Sequence, residues 1–262
     1  MNKYVAHIAY DGSSYRGWQK QINVVGVQQV FEQALSKVLN TTTSVLGCGR
    51  TDAQVHASQF FVQFKHANTL DESFVFIMNK VLPLGIKVYD VNLAEPNFNV
   101  QHNALARTYH YYFHLKQNPF INKYSSFYQY SALNMGKMQE ALSLFKGYYD
   151  FYSFCKTPDR HPHTMVDISN AFIKSNRNQT MYCIKIKGDR FLKGMVRAIA
   201  YHVIEAGRGK MPITEINKKL QMAASYPNIQ LAYPQGLYLA KVEYSEFDFD
   251  NHAEPVAALL ND

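Results

Sequence analysis

Charged side chains are scarce in this sequence, at 18% of 262 residues, and cysteines are scarcer still. Low charge with 47% hydrophobic content excludes a disordered chain, which needs the opposite balance. The three cysteines, Cys48, Cys155 and Cys183, are far apart and odd in number. With no C-x-x-C pair there is no zinc ribbon and no redox dithiol, and the thiols read as reduced ones of a cytoplasmic protein. No run of about 18 apolar residues occurs, so no membrane span is expected. Met1 to Tyr10 alternates instead of forming an apolar block, which excludes a signal peptide. Two short patterns also fall short. His161-Pro162-His163 finds no third or fourth metal ligand at usable spacing, so it reads as a solvated loop. Gly207-Arg208-Gly209-Lys210 lacks the spacing of a phosphate loop and reads as a helix end, with Arg208 and Lys210 free to touch a polyanion.

What the chain does have is aromatic residues, 19 Tyr and 17 Phe, and a net charge of +7. Aromatics fill cores and also stack on unpaired bases, and a positive excess suits a polyanionic partner. The length allows one large domain or two of ordinary size.

Strand and helix patterns alternate. Tyr4, Ala6, Ile8 and Tyr10 share one strand face, ending at the turn cluster Asp11-Gly12-Ser13-Ser14. Val27, Val30, Phe31, Ala34, Leu35, Val38 and Leu39 follow helical spacing through three turns. Strands are expected at Thr41–Cys48, around Phe60–Phe64, and at Ile86–Leu93, with a short helix over Phe74–Val81. In Arg107–Leu115, Arg107, Tyr109, Tyr111, Phe113 and Leu115 point one way. Met135, Met138, Leu142 and Phe145 form a helical stripe. Ala171–Ile173 and Met181–Ile186 read as strands joined by a polar hairpin over Asn176–Gln179. Phe191–Glu205 reads as a strongly apolar helix stopped by Gly207 and Gly209. Pro212 opens another helix, with Ile216, Leu220 and Ala223 inward. Leu237–Tyr244 is a last strand, and the tail from Asn251 has little to fix it. Helices alternating with strands and hairpins predict an α+β protein with antiparallel or mixed sheets, in two halves of similar coarse plan. The expected boundaries are residues 1–103, 104–248 and a tail over 249–262.

Chemistry concentrates in Gly49–Ala57, which reads GRTDAQVHA. Gly49 lets the chain turn after a strand. Asp52 lies within reach of the Arg50 charge, which favours its ionised form. Taken alone, such a carboxylate reads as a cap or a surface ion pair.

This loop resembles the Gly-Arg-Thr-Asp-Ala-Gly-Val-His signature of the tRNA pseudouridine synthase A family. The resemblance extends in order along the chain. Tyr10-Asp11-Gly12-Ser13 with Tyr15, Gly17, Trp18, Gln19 and Gln21 is similar to the family's N-terminal motif, and Val27-Gln28, Phe31-Glu32 and Ala34-Leu35 continue it. Arg107-x-Tyr109-x-Tyr111, Asp150-Phe151-x-Ser153-Phe154, Phe191-Leu192-x-x-Met195-Val196-Arg197 and Gly236-Leu237-Tyr238-Leu239 resemble later family elements. The sequence departs from the pattern at Gln54, where the family has glycine, at Gln101, where it has a basic residue, and at Tyr201, where it has glycine. A glycine at position 54 would permit a positive φ or a close approach of RNA, and loss of a base at 101 would remove a phosphate contact.

The resemblance implies a pseudouridine synthase fold of two similar subdomains around a central cleft. It implies isomerisation of uridine to pseudouridine at positions 38, 39 and 40 of the tRNA anticodon arm, by a homodimer. Asp52 would be the nucleophile and Arg50 would orient it or contact RNA. Tyr109 would stack on the uracil and assist the late proton transfer from carbon 5. Arg197 would pair with the aspartate or hold a phosphate, which accounts for an arginine inside an apolar helix. Arg107 and Gln19 join the expected substrate contacts, and Tyr111 is read as packing. An aspartate, with an unperturbed pKa of about 3.9, needs no base to activate it. The reaction is redox-neutral, so no cofactor and no metal are expected. Two alternatives stay open, a catalytically silent RNA-binding or tRNA-folding relative, and the same chemistry on another uridine.

Overall fold

The computed structural model describes residues 1–222, 229–247, 254 and 256–260. In chain order these form β1 (Asn2–Tyr10), α1 (Val27–Val38), β2 (Leu46–Gly47), β3 (His56–His66), α2 (Phe74–Val81), β4 (Ile86–Ala94), β5 (Ala106–His114), β6 (Ser126–Phe127), α3 (Met135–Ser143), β7 (Gly147–Asp150), β8 (Met165–Ser175), β9 (Met181–Gly188), α4 (Met195–Gly207), α5 (Ile213–Met222) and β10 (Leu237–Glu243). The class is α+β, as the alternation of patterns predicts. The chain divides into two units, Met1–Leu105 with Tyr238–Ala253, and Ala106–Leu237 with Glu254–Asp262.

In the first unit the strands run in the order β4, β1, β3, β10, with β2 paired to β3. β1 is antiparallel to both β3 and β4, and β10 lies parallel to β3 through Tyr238–His56 and Leu239–Ala57. Tyr4, Ala6, Ile8 and Tyr10 are buried as expected, but Val5 and His7 are buried too. β1 is covered on both faces, so both of its residue sets are inside. In α1, Val27, Phe31, Ala34 and Leu35 are buried. Gly26 at its N-cap offers no side chain, and the first helical N–H groups donate instead to the loop carbonyls of Gly17, at 3.0 Å, and Trp18, at 2.9 Å. That satisfies two of the donors every helix leaves open at its start. The strand expected over Thr41–Cys48 is only Leu46–Gly47. Before it the chain is tied by side chains: Ser36 Oγ accepts from the Thr43 N–H at 2.9 Å, and the buried Glu32 accepts from the Val45 N–H at 3.1 Å.

In the second unit the order is β5, β9, β8, β7, with β6 parallel to β5. β5 and β9 are antiparallel, with Tyr109 opposite Ile186 and Arg107 opposite Gly188. β8 is much longer than Ala171–Ile173 because a register shift between Ile168 and Asn170 breaks its alternation. Phe145 falls past the end of α3 and is nevertheless fully buried, in contact with Phe151 and Phe154. The apolar helix begins at Met195, not at Phe191, since Gly194 holds φ +75° and cannot continue a right-handed helix. Ile216 and Leu220 of α5 are buried as expected, and Ala223 lies outside the described residues.

Two further expectations are overturned. Arg208 is not free: its guanidinium meets both carboxylate oxygens of Glu205, at 2.8 and 2.9 Å, and sits 4.1 Å over the Tyr130 ring. The chain beyond Asn251 is anchored where it is described. Glu254 is buried, accepts from the Tyr112 hydroxyl at 3.0 Å and lies 2.9 Å from His110 Nδ1, and Val256 is buried as well.

Candidate active site

The loop bearing Asp52 runs from Cys48 to Val55, between β2 and β3. Its entry is fixed by Cys48, whose N–H donates to the Phe61 carbonyl at 2.9 Å. Asp52 opens a turn closed by the Val55 N–H on its own carbonyl, at 3.2 Å. Gln54, in the turn, adopts φ +65°. The substitution of the family's glycine therefore leaves the left-handed corner intact, at the steric cost that glycine avoids. Arg50 is exposed and Asp52 half-buried.

The rest of the loop is held from below by the segment Tyr10–Trp18, almost wholly through backbone. The Trp18 N–H donates to the Thr51 carbonyl at 3.2 Å and the Gln54 N–H to the Tyr15 carbonyl at 3.1 Å. The Tyr10 and Thr51 hydroxyls are 2.9 Å apart, both buried. Two glycines make the approach possible. A Cβ on Gly17, which has φ +91°, would meet the Thr51 carbonyl oxygen at 2.3 Å, and one on Gly12 would meet that of Val55 at 2.0 Å. Trp18 locks the base of the loop, its ring centroid 4.2 Å from that of Phe60. The same residue accepts the Gln28 N–H of α1, so one residue joins the helix start to the Asp52 loop.

His56, the first residue of β3, completes this frame. Its buried ring stacks on Tyr238 at 4.6 Å. Its Nδ1 faces the Gly12 N–H at 3.1 Å and Asp11 Oδ1 at 3.2 Å, accepting from the one or donating to the other according to its tautomer. Burial pushes the Asp11 carboxyl up, but hydrogen bonds from His56 and Ser13 outweigh it and hold the group well below the usual carboxylate range. Asp11 is thus a fixed anion that secures the turn. Motif spacing singles out Tyr10, Gly12, Tyr15, Gly17 and Trp18 without giving them a task, and the fold gives them one. The signal for it was present, since two glycines and the sole tryptophan within seven residues mark a close backbone crossing. Gln19 is exposed, its Nε2 donating to Gln28 Oε1 at 3.2 Å.

Arg107, Tyr109 and Arg197 belong to the second unit and gather about the connection between β9 and α4. Arg107 Nη1 donates to the Asp189 carbonyl at 3.1 Å. The Tyr109 ring, half-buried, meets Phe191 edge-on at 5.0 Å. Arg197, in the first turn of α4, donates from Nε to the Ala232 carbonyl at 2.8 Å, and its own carbonyl accepts the Ala232 N–H at 3.0 Å. This reciprocal pair fixes the guanidinium plane. Tyr111 is fully buried, and its hydroxyl is 2.9 Å from that of Tyr128, as packing predicts. Burial and the neighbouring Tyr128 push its phenol well above the ordinary range, and the nearby Arg197 charge only partly opposes this. His163, in the exposed loop beside this connection, lies 3.0 Å from Arg190 Nη1 at its Nε2. Burial and the Arg190 charge push the His161 imidazole down. Among the described residues no three His, Cys, Asp or Glu side chains cluster as metal ligands.

A family model described as tRNA pseudouridine synthase matches residues 141–245. The sequence is 36% identical over 256 residues to tRNA pseudouridine synthase A of Bacteroides thetaiotaomicron, covering 97% of this chain and 95% of that protein. It is 34% identical over 253 residues to the protein of that name from Azobacteroides pseudotrichonymphae, covering 96% of this chain and 100% of the other. The protein of that name from Pseudothermotoga lettingae is 34% identical over 247 residues, covering 93% of this chain and 100% of its own length.

Proposed function

The chain belongs to the tRNA pseudouridine synthase family, and we propose that it isomerises uridine to pseudouridine in the tRNA anticodon arm, at positions 38, 39 and 40, with Asp52 as nucleophile. The observation that carries the assignment to Asp52 is its seat. Its loop is pinned on both sides of Asp52, at Thr51 and at Gln54, by backbone hydrogen bonds that fix where the carboxylate is carried. Preorganisation of this kind keeps a nucleophile in a near-attack position without an ordering cost at the moment of reaction.

The reaction breaks the bond between C1′ and N1, turns the uracil and joins C1′ to C5. The C5 proton leaves and N1 regains a proton, so atoms balance within the substrate and no oxidant is needed. The Asp52 carboxylate attacks the base or the sugar and is released when the new bond is complete. The uridine must first leave its stack, at a cost of a few kcal/mol. Stacking on Tyr109 recovers about 1–3 kcal/mol of this, and the edge contact with Phe191 keeps that ring in place. Tyr109 also assists removal of the C5 proton. Arg50 orients the carboxylate or binds RNA. Arg197, its Nε already held by Ala232, serves as a fixed cation for the reacting carboxylate or a phosphate. Arg107 and Gln19 contact the RNA. The protein works as a homodimer in the cytoplasm, and no helix among the described residues is long and apolar enough to cross a membrane.

Tritium release from tRNA labelled at C5 of uridine tests the reading, with wild type and Asp52→Ala measured side by side. Release by wild type alone, with tRNA bound equally by both, is the expected result. Release by the variant at the wild-type rate would remove Asp52 from the mechanism, and binding without release by wild type would leave an RNA-binding protein.

A further inference from the structure

The second unit holds a cavity of about 410 Å³ that is not used in the chemistry above. It lies between Leu115 and Lys116, the tip of the β8–β9 hairpin, and Tyr130–Leu133. Leu115 is six residues along the strand direction from Tyr109, which at the rise of an extended chain is about 20 Å. Its charge is of one sign. Lys116 and Arg177 stand in the wall, and no described aspartate or glutamate does. The acid next to Tyr130 is Glu205, and its carboxylate is already held by Arg208.

The walls are rigid. Asn176 Oδ1 accepts from the N–H groups of Thr180, at 2.9 Å, and Met181, at 3.0 Å, and its Nδ2 donates to Thr180 Oγ1 at 3.1 Å. The Leu115 N–H donates to the Thr180 carbonyl at 2.9 Å, which ties the hairpin to the end of β5. Within the wall, Tyr182 is fully buried, with its ring stacked on Phe113 at 4.8 Å and 4°. Its hydroxyl meets no hydrogen-bond partner among the described residues. The cavity is open along one side, whereas a small-molecule site encloses most of its ligand. An open trough lined by cations suits a segment of a polymer better than a free metabolite. Beside it, the loop from Lys116 to Lys123 carries Phe120, which is 89% exposed.

We propose that this cavity seats a backbone phosphate of the substrate RNA, with Lys116 and Arg177 supplying the charge. The proposal rests on the reading of the chain as a tRNA-modifying enzyme. It describes a contact that steadies the RNA without touching the reacting uridine.

The test is the double variant Lys116→Ala/Arg177→Ala in the full chain. Taking both cations away from the RNA backbone should lower tRNA affinity at 0.1 M salt about tenfold, and the slope of log affinity against log salt should shrink by about 2. The kcat for tritium release at saturating tRNA should not change. Lys37→Ala/Lys65→Ala removes the same charge from exposed sites on the first unit and should leave the slope near that of wild type. Equal effects from the two pairs would reduce the result to net charge and overturn the proposal. If AMP binds at the Arg177 and Thr180 amides by NMR while Lys116→Ala/Arg177→Ala leaves tRNA affinity unchanged, the cavity takes a free nucleotide and the RNA seat is refuted. A wild type that releases tritium while the pair loses nothing sinks the cavity alone, and a wild type that binds no tRNA sinks the functional reading with it.

Discussion

Replacing Gln54 with glycine should stabilise the protein. Gln54 is exposed and holds φ +65° in the turn that follows Asp52. A left-handed conformation costs a residue with a Cβ about 1–2 kcal/mol. Glycine escapes that cost, but its freer unfolded chain gives back about 0.4–1 kcal/mol. The difference leaves a gain of about 0.5–1 kcal/mol, which for a chain of this size raises Tm by about 1–4 °C. Among the described residues the Gln54 side chain makes no hydrogen bond that the change would break, so nothing offsets the gain. The order within a series is a sharper test than any one value. Gln54→Gly should melt highest and Gln54→Asn next, since asparagine tolerates this region. Gln54→Ala should match wild type, and Gln54→Val should melt lowest. Thermal and urea melts of the purified variants measure the order, and tritium release checks that Gln54→Gly keeps the wild-type kcat. If Gln54→Gly melts below wild type, the corner is not strained and the account of how position 54 replaces a glycine fails.

Gly17→Ala should do the reverse: its Cβ would meet the Thr51 carbonyl oxygen at 2.3 Å. The expected cost is about 2–4 kcal/mol of stability and on the order of 100-fold in kcat as the Asp52 backbone is displaced; a near-wild-type rate would show that the crossing does not position Asp52 for the reaction. The buried His202 imidazole is pushed by burial down to about 4, with Nδ1 2.8 Å from the Ala198 carbonyl and Nε2 3.1 Å from Lys219 Nζ. Its folded pKa lies below the unfolded value, so its stabilisation is complete above about pH 6.5 and is lost as pH falls toward about 4. Between about pH 7 and pH 5 the loss is about 2 kcal/mol; urea midpoints at both values should show it in wild type and not in His202→Gln. Glu254→Ala should cost about 1–3 kcal/mol by withdrawing an acceptor from the buried Tyr112 hydroxyl, and an unchanged denaturation midpoint would show that the anchor is idle.

The elements that were legible in sequence are those whose burial is one-sided or whose ends carry a stop. α2 spans Phe74–Val81 as read, because Pro83 closes it. α1 was legible from its apolar stripe. β8 was largely hidden because a bulge shifts its period partway along. The start of α4 was hidden because Phe191 and Leu192 continue its apolar composition while Gly194 breaks its backbone. For the candidate site, the loop motif singled out Asp52 and Arg50 as candidates, whereas the support of their loop was hidden, since the hydrogen bonds it shares with Trp18 and Tyr15 use only main-chain atoms. The Glu205–Arg208 pair is three residues apart at the end of α4, a spacing that sequence alone offers, whereas the Tyr130 ring beneath Arg208 is set by tertiary packing.

That β10 pairs with β3 right at His56 and Ala57, just past the Asp52 loop, has a consequence for synthesis. The strand that flanks this loop is made after the whole of the second unit's sheet has been translated. During elongation the edge of β3 must wait without its partner, and an unpaired edge invites mispairing between nascent chains. A ribosome stalled after β9 would carry a first unit lacking one of its strands. The chain therefore cannot complete the frame of the Asp52 loop until β10 has been made, and slowing the codons between β9 and β10 should lengthen that exposed interval more than slowing the early ones.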